Sequence, residues 1–262
     1  MSIIQAIILG IIQGLTEFLP VSSSGHLEIG KVLLGANIQD NLGFTVILHC
    51  ATVLSTLVVF RKEIVDLFMG FLKFKMNDET SYVFKILLSM IPVGLVGFFL
   101  KDKIEALFEG NLILVGSMLL LTALLLALSY YVKHKESRSI SYFDSVIIGI
   151  AQAVAVLPGL SRSGSTIATG LLLGNKKSDV AKFSFLMVIL PILGMTLFDL
   201  KSGAFNSMQG ELVPMFAGFI TAFIIGYIAC KLMINLVKKG KLIWFALYCA
   251  IVGFIAIGSS IL

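Results

Sequence analysis

Charge is scarce in this chain. Only 13% of its 262 residues are charged and 58% are hydrophobic, giving a mean hydropathy of +1.00. A soluble globular domain carries about 25% charged residues. A soluble core of this size could not hide so much apolar surface, because burial is limited by surface-to-volume scaling. An ordinary soluble enzyme and a disordered chain are therefore excluded. Cysteine is scarce too. Cys50, Cys230 and Cys249 stand alone in apolar runs, without the spacing of a disulfide scaffold or a metal site. They read as small buried hydrophobes. Strict apolar–polar alternation is also missing, which excludes a β-barrel. The net charge of +5 comes with no aromatic–basic repeat or nucleic-acid motif. It points to basic cytoplasmic loops rather than to nucleic acid. What remains is an all-α integral membrane protein with the bilayer as its surroundings.

The first residues lack a positively charged n-region, and their apolar run contains Gln13 and Glu17. They are read as part of the mature protein rather than as a signal peptide. Six segments are long enough to cross a bilayer of about 30 Å: roughly 44–60, 82–100, 112–132, 183–199, 212–235 and 242–261. Two further apolar stretches, 3–19 and 142–157, run into Pro20–His26 and Pro158–Thr166 and resume as short apolar runs, 27–35 and 167–174. Proline and glycine break helices, and clustered serines satisfy freed backbone groups. Each unit reads as a re-entrant helical hairpin.

The hairpins match one another at an offset of 139 residues. Gly10 pairs with Gly149, Gln13 with Gln152, Ser22 with Ser161, Ser24 with Ser163, Gly25 with Gly164, and Phe44 with Phe183. The pattern is a single membrane domain, 1–262, built from a hairpin and three spans used twice, about 1–138 and 139–262. Three spans per copy make the second copy inverted. Basic residues agree. With the 61–81 loop cytoplasmic, thirteen Lys/Arg fall on that side: Arg61, Lys62, Lys73, Lys75, Lys133, Lys135, Arg138, Lys176, Lys177, Lys182, Lys238, Lys239 and Lys241. Four fall outside: Lys31, Lys101, Lys103 and Lys201. This bias requires both hairpins to be re-entrant, the first entering from outside and the second from inside, so that their tips meet.

Few ionisable groups remain at depth: Glu17, His26 and Arg162. Such groups are costly in a bilayer and read as functional. A structural Glu17–Arg162 pair alone would leave the surrounding hydroxyls unexplained. The segment Ser161-Arg162-Ser163-Gly164-Ser165-Thr166 offers a guanidinium fork, hydroxyls and a helix N-terminus. That combination suits phosphate or diphosphate. The first tip supplies Ser22, Ser23 and Ser24 as hydroxyls, and His26 and Glu17 as acid–base groups, with Gln13 one helical turn before Glu17. These are the parts for hydrolysing a phosphoric anhydride. His49 is read as structural, His134 as solvated, and Trp244 and Tyr248 as interface anchors. A secondary transporter or polyprenyl-phosphate flippase is the competing class, since inverted repeats and broken helices are transporter features.

Gln13–His26 resembles the first signature of the bacterial undecaprenyl-diphosphate phosphatase, or bacitracin-resistance, family, and Pro158–Thr166 resembles its second. The resemblance covers the whole chain. It implies six transmembrane helices plus two re-entrant hairpins in inverted repeats, in the bacterial cytoplasmic (inner) membrane, with the site facing the extracytoplasmic side. It implies removal of the terminal phosphate from a C55 polyprenyl diphosphate, so that the lipid carrier is reused for cell-wall synthesis. The family serine resembles Ser23, its histidine His26, and its arginine Arg162, flanked by the phosphate-binding candidates Ser161, Ser163 and Thr166. Glu17 is the second acid of the motif, and Gln13 stands at its first position. The resemblance also implies a divalent cation, Mg or Ca, with Glu17 a candidate ligand but no complete ligand cluster; no organic cofactor is expected. A homodimer is an open assembly. Two schemes follow: Ser23 attacks phosphorus while Glu17 or His26 takes its proton, or His26 attacks while Ser23 binds phosphate.

Overall fold

The computed structural model describes residues 1–35, 42–100, 103–104, 107, 112–132, 138–201 and 212–261. Lys101, Lys133, Lys135 and His134, which enter the charge and loop readings above, lie outside them. The elements in chain order are α1 (Ile3–Thr16), α2 (Ser23–Leu33), α3 (Leu42–Val59), α4 (Arg61–Phe71), α5 (Asp78–Phe99), α6 (Leu112–Tyr131), α7 (Tyr142–Val154), α8 (Arg162–Leu172), α9 (Lys177–Leu186), α10 (Ile189–Lys201), α11 (Leu212–Lys238) and α12 (Ile243–Ile261). Among the described residues the only β-type pairing is an isolated bridge between Arg138 and Asn175.

Among the described residues five segments are long and apolar enough to span a membrane: Asp78–Phe99, Leu112–Tyr131, Lys177–Thr196, Leu212–Lys238 and Ile243–Ser260. A sixth arises only if 43–59 and 61–71, bent by 75°, count as one. The expected span 44–60 is therefore the weakest of the six. The expected loop 61–81 also needs correction, because it begins with α4. That helix turns away at Phe60, and its exposed Val65, Phe68 and Met69 share it with Arg61, Lys62, Glu63 and Asp66. Mixed composition of this kind gives little hydropathy signal, although it is the signature of a helix lying along an interface.

Equivalent positions of the two halves behave alike. Ser2 caps α1 and Ser141 caps α7, each with a reciprocal capping box, closed by Gln5 and by Asp144. Gly10 and Gly149 are both points of close helix approach. A Cβ at Gly10 would lie 2.7 Å from the Gly218 carbonyl oxygen on α11, and one at Gly149 would lie 2.3 Å from that of Ser89 on α5. So α1 packs against α11 and α7 against α5, while α6 and α12 pack against each other. Phe44 and Phe183 are both fully buried. The larger apolar core gathers around Phe18, Phe60, Phe183 and Phe185, and it lies directly beneath the hairpin tips.

Candidate active site

Both tips break where the sequence expects. Pro20 ends the first apolar run, since the residue before a proline disfavours the helical region. α2 begins at Ser23 and α8 at Arg162, so both helices start within the polar turns, ahead of the apolar runs 27–35 and 167–174. The second tip turns at Gly159, whose φ is +90°. A Cβ there would sit 2.4 Å from the Val115 carbonyl oxygen, so only glycine fits. The first tip turns at Ser22, a non-glycine residue at φ +70°. Such a conformation costs about 1–3 kcal/mol and clusters at functional sites.

The serines at the two tips divide their work. Ser22 and Ser161 are buried, and their hydroxyls accept the N–H of Gly25 and Gly164. Each also lies within 3.4 Å of a second hydroxyl, Ser24 and Ser163 respectively. The Ser163 hydroxyl donates to the Leu19 carbonyl, which ties the tips together. Thr166 donates back to the Arg162 carbonyl. Ser161 and Thr166 thus shape α8, whereas Ser23 reaches Glu17 within the first tip and Arg162 reaches it across from the second.

Glu17 is where these groups converge. It sits at the C-terminal cap of α1 with a buried carboxylate. Its Oε1 is paired with Arg162, and its Oε2 accepts from Ser23 Oγ at 2.9 Å and from Gln13 Nε2 at 2.9 Å. Arg162 opens α8, so the positive end of that helix adds to its charge. Gln13 Oε1 is buried with no hydrogen-bond partner among the described residues. A cavity of about 10 Å³ lies beside the pair, walled by Thr52, Thr56, Ser163 and Ser184. It has room for about one water.

His26 stands apart from Ser23. Its Nδ1 faces the Ser22 carbonyl oxygen at 2.8 Å, and its Nε2 faces the Tyr248 hydroxyl at 2.7 Å. The sequence reads His49 as structural, yet its Nε2 lies 3.8 Å from Glu17 Oε2. A sequence signal existed for it. Thr45, His49, Thr52 and Thr56 recur at helical spacing and form one polar stripe on an otherwise apolar span.

Among the described residues no three His, Cys, Asp or Glu side chains gather to hold a metal ion. The one carboxylate at the tips already faces a guanidinium. Among the described residues the side chains therefore do not make up a metal site on their own.

The two tips thus bring a hydroxyl, a carboxylate and a guanidinium into contact. A profile of the family described as Bacitracin resistance protein BacA matches residues 6–255. The chain belongs to the BacA family. All the site residues discussed above lie within the matched stretch. Among BacA-like relatives, the "Undecaprenyl-diphosphatase" of Parabacteroides distasonis is 58% identical over 265 residues, covering 100% of both chains. That of Bacteroides fragilis is 59% identical over 256 residues, covering 97% of this chain and 96% of its own. That of the more distant Methanosphaera stadtmanae is 39% identical over 281 residues, covering 100% of this chain and 99% of its own.

Proposed function

We propose that this chain hydrolyses undecaprenyl diphosphate to undecaprenyl phosphate and inorganic phosphate within the membrane. It thereby returns the lipid carrier to cell-wall synthesis and confers resistance to bacitracin. The relatives' names support the reaction. The observation that carries the site assignment is the meeting of Ser23, Glu17 and Arg162 across the two tips. Nothing in the structure or the comparisons favours the transport alternative.

The chemistry follows from those contacts. The guanidinium and the start of α8 attract the diphosphate. As Arg162 turns from Glu17 to phosphate, the carboxylate loses the cation that held its negative charge. Glu17 then takes the proton of Ser23, to which it is already hydrogen-bonded. Ser23 Oγ forms a bond to the terminal phosphorus, the bridging P–O bond breaks, and undecaprenyl phosphate leaves. Water next attacks the phosphoserine, giving its proton to the site as Ser23 recovers one, and phosphate departs. Gln13 fixes the Glu17 carboxylate; Ser22, Ser24, Ser161, Ser163 and Thr166 shape and line the phosphate cradle. A divalent cation would be shared between Glu17 and the diphosphate oxygens, since the described residues do not offer a full ligand set.

The architecture that goes with this reading is six spans and two re-entrant hairpins in an inverted repeat, about 1–138 and 139–262. The matched caps, matched serine turns and exchanged packing of α1 on α11 and α7 on α5 support it. The Lys/Arg bias supports a site opening to the extracytoplasmic side of the inner membrane. The test is to quench purified protein during turnover of a polyprenyl diphosphate and map the phosphorylated residue. Phosphoserine at Ser23 is expected. Phosphohistidine at His26 would overturn the serine scheme.

A further inference from the structure

Tyr248 belongs to α12, and its neighbour in sequence, Cys249, is buried against the first hairpin tip with its Sγ donating to the Pro20 carbonyl at 3.4 Å. Consecutive residues of α12 therefore grip the tip from opposite ends of the chain. Tyr248 does so through His26. Their rings stack with centroids 5.6 Å apart and planes within 18°. The Tyr248 hydroxyl lies 2.7 Å from His26 Nε2.

Hydrogen-bond chemistry fixes the roles. The Ser22 carbonyl only accepts, so His26 Nδ1 carries a proton and donates to it. In the neutral ring Nε2 is then the acceptor, and the Tyr248 O–H donates to it. Both ring nitrogens are occupied, and neither faces Ser23, whose hydroxyl goes to Glu17. An interface anchor needs no such bond, since it would turn its hydroxyl toward headgroups.

We propose that Tyr248 is a positioning residue of the phosphatase site, holding His26 in one tautomer and one orientation at the edge of the phosphate cradle. The inference rests on the phosphatase reading above. Tyr248 acts only through His26. It keeps the imidazole from swinging away from the tip, so that Nδ1 stays on the Ser22 carbonyl and holds the turn that presents Ser23 to Glu17.

The test is a double-mutant cycle on phosphate release from a polyprenyl diphosphate in detergent, using wild type, Tyr248→Phe, His26→Ala and the double variant. Tyr248→Phe keeps the ring and its stack and removes one oxygen. It should lower kcat about tenfold, the worth of one well-placed hydrogen bond, with KM and melting temperature unchanged. In the His26→Ala background the same change should cost nothing further. Wild-type kcat in Tyr248→Phe would overturn the proposal, as would an equal loss in the His26→Ala background or a loss accompanied by a lowered melting temperature. Those results would leave the phosphatase reading standing. A wild type that releases no phosphate would instead remove both.

Discussion

Glu17 divides its carboxylate between Arg162 on one oxygen and Ser23 with Gln13 on the other, and His49 stands 3.8 Å away. The pair is not a simple staple, because Arg162 keeps 26% of its side chain exposed and can be reached by an arriving anion. Glu17→Gln keeps the size of the side chain and removes the base. Losing a positioned general base costs about 10²- to 10⁴-fold in rate, so kcat for phosphate release should fall by that order while the protein still purifies folded. A kcat within a few-fold of wild type would show that Glu17 is not the base. Much of this site is visible in the sequence, because Glu17, Ser23, His26 and Arg162 interrupt apolar runs at two matching places. His49 and Tyr248 are harder to see. A lone histidine or tyrosine on an apolar helix more commonly has a bland role, and only the fold shows that they approach Glu17 and His26.

Helix bounds at the tips depend on caps more than on hydropathy. The apolar pattern resumes several residues into α2 and α8, so it misses their first turns, which are polar because they form the site. The same bias hides α4, whose charged residues read as loop. Glycine is the better marker of packing. Gly149 lets α7 approach the Ser89 carbonyl on α5, whereas a Cβ at Gly97 would meet nothing within 4 Å. Gly149→Val should cost about 1–3 kcal/mol through overpacking and lower the melting temperature in detergent. Gly97→Ala serves as the tolerated control. Equal melting temperatures for the two would contradict the close α5–α7 approach.

At the scale of the whole molecule, the scarcity of charge explains both the membrane and the site. Glu17 and Arg162 come from different halves of the sequence and meet because the two tips do. The internal match at offset 139 made that meeting foreseeable. Which side chains would face one another was not, since capping serines and lining serines look alike in a string of letters. Only the contacts separate Ser161, which caps α8, from Ser23, which faces Glu17. The most direct measurement is release of inorganic phosphate from undecaprenyl diphosphate by purified protein, with Arg162→Ala and Ser23→Ala alongside. The account predicts release by the wild type and near-complete loss in both variants, each still eluting as folded protein. Undiminished release by either variant would contradict a site built across the two hairpin tips.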